Sequence, residues 1–208
     1  MSKIIHIHPD NPQERLLQRA IECLKDGGVI IYPTDTVYGF GCDLYNMKAI
    51  ERICKIKGTD PRRMHLSFIC DDLSDISTYA KVSTPVFKAM KRALPGPYTF
   101  ILESSTRVPK ILHNKKKQVG IRIPDHAIPR QLVQALGNPI LTTSVKHPDD
   151  EILEYLTEAY QMEEAWGHHV DLIIDGGTGG NIPSTVLSGI GDEIELIRQG
   201  LGQTDQLL

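Results

Sequence analysis

Residues 27–42 read GGVIIYPTDTVYGFGC. Val29-Ile30-Ile31-Tyr32 is an apolar, largely β-branched run that stops at Pro33, the pattern of a buried strand. Thr34, Asp35, Thr36 and Tyr38 then place three hydroxyls and a carboxylate close together, and Gly39 and Gly41 follow. A strand is feeding a loop dense in hydrogen-bonding groups, and the glycines offer that loop backbone freedom. Ligands of α/β proteins sit off strand ends of this kind. Thr34, Thr36 and Tyr38 are therefore candidate substrate contacts.

Outward from this stretch, strands and helices alternate. Ile4 to Ile7 reads as a strand. Asn11-Pro12-Gln13-Glu14 reads as a helix start, with Asn11 as N-cap and Glu14 at the capping-box position. Leu16, Leu17, Ala20, Ile21 and Leu24 form its apolar face, and Gly27-Gly28 ends it. Asn46 opens a second helix with Ile50, Ile53 and Cys54 inward. Strands are expected at 66–70, 98–102, 119–123, 140–144, 170–174, 185–187 and 194–198. Helices are expected from Thr84, over 128–136 and over 149–164. The pattern predicts an α/β fold with a sheet of mixed strand direction. One domain over residues 1–208 suits the length.

Composition narrows the classes. The chain is 208 residues long and 40% apolar, enough for a real core. No stretch reaches the roughly 18–20 apolar residues of a membrane span, and the first residues lack the apolar core of a signal peptide. Cys23, Cys42, Cys54 and Cys70 form no CxxC pair and sit among apolar residues, as core thiols of a cytoplasmic protein do. His6 and His8 share a strand face without a third ligand, so no metal site is expected. Net charge is −3, yet residues 1–147 carry 22 Lys and Arg against 13 acids, while residues 148–208 carry Arg198 against 13 acids. The basic part can face a polyanion such as a nucleotide or RNA. Equally, the two parts can attract each other within the fold or across a dimer; the oligomeric state stays open.

Polar residues recur at the predicted strand ends: Thr34 and Thr36, Arg122, Thr142, Thr143 and Ser144, Ser184, and Arg198. If these ends converge, they line a cleft with hydroxyls and guanidinium groups. A strand-borne arginine holds a carboxylate or phosphate bidentately, though a structural salt bridge would also use Arg122, and Ser184 alone would also pass as a plain strand-start hydroxyl. Lys57, Arg62 and Arg63 could neutralise a triphosphate. This is the chemistry of a site for an amino acid plus a nucleotide. The DGGTGG string at 175–180 matches neither phosphate-loop pattern and reads as a flexible turn.

Several strings together resemble the YrdC/YciO family, its YciO branch in particular: HPDNPQ (8–13), GGVIIYPTDTVYGFGC (27–42), ERICKIKG (51–58), PGPYTFIL (95–102), VGIRIPDH (119–126), PILTTS (139–144), VDLIIDGG (170–177), PSTVL (183–187) and LIRQG (196–200). The resemblance implies an open, twisted sheet with flanking helices around a large, positively lined cavity. It implies an enzyme that joins L-threonine, bicarbonate and ATP into threonylcarbamoyl-adenylate, with release of pyrophosphate, for modification of tRNA. Magnesium would accompany ATP as part of the substrate, with no prosthetic group. On matching positions Thr36, Arg122 and Ser184 would contact threonine, and Lys57, Ser144 and Arg198 would contact ATP. Lys57, Arg122 and Ser144 would carry the chemistry by positioning and charge neutralisation. The family's KxR string is Lys57-Gly58-Thr59 here, with Arg62 and Arg63 nearby. Its SxN string is Ser144-Val145-Lys146, with Thr143 beside it, and a histidine expected on the substrate side is Cys70. These changes predict weak or altered turnover.

A second expectation is a binding protein of the same fold. Lys115, Lys116 and Lys117 would then contact phosphates of double-stranded RNA or tRNA. Only 6% of residues are aromatic, which disfavours stacking on single-stranded bases.

Overall fold

The computed structural model describes residues 3–60, 67–74, 76–112, 116–146, 155–205 and 207. In chain order the elements are β1 (Ile4–His6), α1 (Glu14–Lys25), β2 (Ile30–Tyr32), β3 (Gly39–Asp43), α2 (Met47–Ile56), β4 (Ser67–Ile69), α3 (Ile76–Tyr79), β5 (Ala80–Lys81), α4 (Thr84–Ala93), β6 (Tyr98–Ser104), β7 (Gln118–Arg122), α5 (Ala127–Leu136), β8 (Ile140–Ser144), α6 (Ala159–Trp166), β9 (Leu172–Asp175), β10 (Thr185–Ser188) and β11 (Glu195–Arg198). The strands form one open sheet in the order β1-β9-β2-β3-β8-β4-β7-β6-β10-β11, with β5 on β6. It is mixed: β1, β9 and β2 run parallel, while β3 is antiparallel to both β2 and β8. The expected fold class is the one observed. Among the described residues no helix is long and apolar enough to cross a membrane.

Why the sheet holds a hollow follows from its period of two. Cross-strand partners share a face. Cys42, Leu141, Phe68, Ile121, Phe100 and Leu187 are successive partners along one row. All are buried to 1% exposure or less and belong to the larger core cluster, with Ile50 and Ile53 of α2 and Val86 and Met90 of α4. The adjoining row on the opposite face is Gly41, Thr142, Ser67, Gly120 and Ile101. Small and hydroxylated side chains there leave space that the large apolar row fills on its own side. Truncating Phe68 or Phe100 to alanine is expected to cost about 3–5 kcal/mol. A second cluster seats α1 and α5 on Ile30, Tyr32, Ile69, Ile140 and Ile174.

Three expectations need correction. Helix α1 starts at Glu14 with Gln13 as N-cap, and Asn11 does not cap it. The Nδ1 atom of His8 accepts from the amides of Asp10 and Asn11, both at 3.2 Å, and Gln13 Oε1 accepts from the His8 amide at 3.1 Å. These bonds close 8–13 into a turn that delays the helix. Gly39 and Gly41 lie in strand β3, not in a loop. Gly41 is required by a close approach: a Cβ there would stand 2.6 Å from the Tyr32 ring. Lastly, residues 155–158 precede α6 rather than belonging to it, because Glu158 and Gln161 form a capping box. Residues 149–154 of the expected helix lie outside the described residues. The Asn46 cap of α2 is as expected, accepting from the Ala49 amide at 3.0 Å.

Candidate functional site

A cavity of about 1110 Å³ opens over the Gly/Ser/Thr row. Thr34 comes from the loop after β2, Arg122 from the end of β7, Thr142 to Ser144 from the end of β8, Ser184 from just before β10 and Arg198 from β11. The predicted convergence of strand ends is therefore present. Among the described residues, Lys110, Lys116, Arg122 and Arg198 line the space against one carboxylate, Asp60.

Arg122 is the centre of one wall. Its side chain is only 9% exposed, as is that of Asp35, and the two form an ion pair through Nη2 and Oδ1. Nη2 also donates to Thr36 Oγ1 at 2.6 Å and to Thr34 Oγ1 at 3.1 Å. Thr34 in turn donates to the carbonyl of Val37 at 2.7 Å. Nη2 carries two hydrogens and faces three acceptors, whereas the buried Nε has no partner among the described residues. A buried unpaired donor is costly. Across the cavity wall, Thr99 Oγ1 and Ser184 Oγ are 2.8 Å apart and both buried. Nη2 of Arg198 donates to the Ser184 carbonyl at 2.8 Å, which pins the β10 start. Lys57, the C-cap of α2, is not among the lining residues; its Nζ donates to the carbonyl of Ser144, which is, at 3.2 Å.

Other predicted residues sit elsewhere. Tyr38 is among the lining residues, but its hydroxyl donates to the Gly177 carbonyl at 2.7 Å and accepts from the Gly176 amide at 3.1 Å. Burial pushes its pKa up to about 12. Tyr38 is thus tied to the backbone of the DGGTGG segment. That segment is a close-fitting brace, not the free turn expected: a Cβ on Gly180 would stand 2.1 Å from the Thr36 carbonyl, and one on Gly179 would stand 2.5 Å from the Tyr38 ring. Cys70 is buried beside a separate hollow of about 140 Å³ with Asp71, Tyr79 and Asn138 and is not among the residues lining the large cavity. Lys146 holds its ammonium 5.6 Å from the centroid of the Tyr155 ring and does not line the cavity. Lys116 and Lys117 are exposed, and only Lys116 reaches the cavity lining. Arg62, Arg63 and Lys115 lie outside the described residues. Thr99, Ser67 and Asp60 were missed. The first two carry no mark beyond a small residue next to large apolar ones, in S-F-I and T-F-I, which ordinary strands share.

The open mixed sheet and the arginine-centred cavity define an α/β protein with a large cavity lined by hydroxyls and cations. The family model Sua5_yciO_yrdC, described as "Telomere recombination", matches residues 22–200. The chain belongs to the Sua5/YciO/YrdC family. It is 41% identical to the uncharacterized protein YciO of Escherichia coli K12 over the full length of both. The crystal structure of E. coli YciO superposes with a TM-score of 0.92, at 40% identity and full coverage of both chains. A threonylcarbamoyl-AMP synthase of Chromobacterium violaceum is 35% identical over 147 residues, 70% of this chain and 76% of that one. The structure of P. abyssi Sua5 complexed with L-threonine matches at a TM-score of 0.84 and 27% identity, over 96% of this chain and 58% of that one.

Proposed function

We propose that the chain joins L-threonine, bicarbonate and ATP into threonylcarbamoyl-AMP, releasing pyrophosphate and water. The observation that carries this is Arg122, a guanidinium held by hydrogen bonds on a cavity wall dressed with threonine and serine hydroxyls. Similarity to proteins named threonylcarbamoyl-AMP synthase, and to a Sua5 structure complexed with L-threonine, supports the assignment. Arg122 would take the threonine carboxylate. The Thr99–Ser184 hydroxyl pair would orient the rest of the amino acid, with Thr34 and Thr36 holding Arg122. Lys57, Thr143, Ser144 and Arg198 would face ATP. Magnesium would arrive on the triphosphate as part of the substrate.

The chemistry suits such a wall. The amine of threonine and bicarbonate form a carbamate that is labile in water. Its oxygen attacks the α-phosphorus, and the bond to pyrophosphate breaks. The protein need supply no nucleophile. It has to hold the carbamate against the phosphate and spread the developing charge over fixed cations. With Lys57-Gly58-Thr59 and Ser144-Val145-Lys146 in the nucleotide half, turnover is expected to be slow. The product would feed modification of tRNA, in the cytoplasm. Titration calorimetry with L-threonine tests the amino-acid half: saturable binding by the native chain, lost in Arg122→Ala, is expected. Equal binding by both proteins would remove Arg122 from the assignment.

A further inference from the structure

We propose that Asp35 is a positioning residue for substrate-carboxylate recognition, acting through Arg122. The inference rests on the threonine site described above. Asp35 is anchored at both oxygens. Oδ1 pairs with Arg122 Nη2, and Oδ2 accepts from the Asp125 amide at 3.1 Å. Asp125 lies in the segment between β7 and α5, so Asp35 ties the 33–38 loop to the chain just past Arg122. Both side chains of the pair are 9% exposed.

This arrangement fixes one end of a planar group. Asp35, Thr34 and Thr36 all accept from the same nitrogen, Nη2. The guanidinium cannot rotate about its long axis without breaking all three contacts. With Nη2 held, Nη1 is the group left to donate to a ligand carboxylate, and the plane of the guanidinium sets its direction. A guanidinium free to turn would aim Nη1 at the ligand only part of the time. Asp35 therefore works on orientation, and its carboxylate also leaves the Asp35–Arg122 pair neutral overall. A neutral pair suits a zwitterionic amino acid better than a bare dianion.

The two oxygens have different partners, which makes the substitution informative. In Asp35→Asn the amide can accept from Arg122 or from the Asp125 amide, and then presents an N–H to the other donor. One anchor is lost while the side-chain shape is kept. The readout is carboxylate-specific. Binding of L-threonine is compared with binding of L-threonine amide, which lacks the anionic carboxylate, in the native chain and in Asp35→Asn.

The native chain is expected to favour threonine over its amide by roughly tenfold or more, the worth of one charge-assisted hydrogen bond. In Asp35→Asn that ratio is expected to collapse toward one, with binding of ATP changed less than about twofold. A role confined to fold stability would weaken both ligands alike and leave the ratio at its native value, which would overturn the proposal. Asp35→Glu, which keeps the charge but displaces it by one methylene, is the second variant: an intermediate ratio is expected, and a native ratio counts against the inference. Should the native chain itself fail to bind threonine, the threonine site falls and this proposal falls with it. Threonine binding with an unchanged ratio in both variants removes only the role of Asp35.

Discussion

At the scale of single residues the site rests on pairs. Arg122→Ala leaves Asp35 buried without its partner, so it is expected to destabilise the fold by about 3–5 kcal/mol as well as abolish threonine binding. Chemical denaturation and calorimetry on the same variant separate the two effects. Thr99→Val keeps the shape at the wall but removes the hydroxyl that meets Ser184, 2.8 Å away. It is expected to weaken threonine binding about tenfold, with a stability loss of about 1 kcal/mol. Arg122, Ser184 and the two threonines of 34–36 were legible in the sequence because each is a polar residue interrupting an apolar strand end. Thr99 was not. It sits inside PYTFIL, where alternation reads as ordinary strand, and its exposure to a hollow depends on which face the sheet leaves open. Tyr38, Cys70 and Lys146 show the converse. Sequence placed them near the motif strings, but side-chain direction took the Tyr38 hydroxyl to Gly176 and Gly177, Cys70 to a separate hollow and Lys146 onto Tyr155.

At the scale of elements the DGGTGG segment is the clearest lesson. Glycine runs read as flexible when only backbone freedom is considered. Here Gly176, Gly179 and Gly180 are glycines because Pro33, Tyr38 and the Thr36 carbonyl stand too close for a Cβ. Gly180→Ala is expected to cost about 1–3 kcal/mol. It should also lower threonine affinity by pushing on the chain that carries Thr36, which a thermal melt and a threonine titration together would reveal. Helix α5 offers a pH test. The Nδ1 atom of His126 accepts from the Ile128 amide at 3.2 Å and caps the helix as a neutral ring. Burial lowers its pKa below 6.5, against the opposing pull of Asp35, Asp10 and Asp125. The unfolded chain therefore binds the proton first as pH falls. The stability held by the neutral cap is complete above pH 6.5 and is lost as pH drops from there toward the depressed folded-state value. His126→Asn keeps a capping acceptor and is expected to flatten that part of the melting-temperature profile. An unchanged slope would assign it to other groups.

At the scale of the whole molecule, the sheet order explains why one face is core and the other is a site. Alternation along each strand was legible. The order β8-β4-β7-β6-β10, which lines up Thr142, Ser67, Gly120 and Ile101, was not, since long-range pairing leaves no local mark in the chain. The thiols report on the integrity of this core. Cys42, Cys54 and Cys70 are buried, and burial raises the Cys23 and Cys54 pKa values to about 11. Thiol reagents at neutral pH are expected to label the native chain slowly and all four sites rapidly once it unfolds. Fast labelling of the native chain would mean a looser core than the one described. The account as a whole stands on a single reaction. Pyrophosphate release from ATP and bicarbonate, measured on purified protein with and without L-threonine, tests it most directly. Release that depends on threonine, with the mass of threonylcarbamoyl-AMP recovered and both lost in Arg122→Ala, is the expected result. Release that ignores threonine, or none at all alongside intact ATP binding, would contradict it.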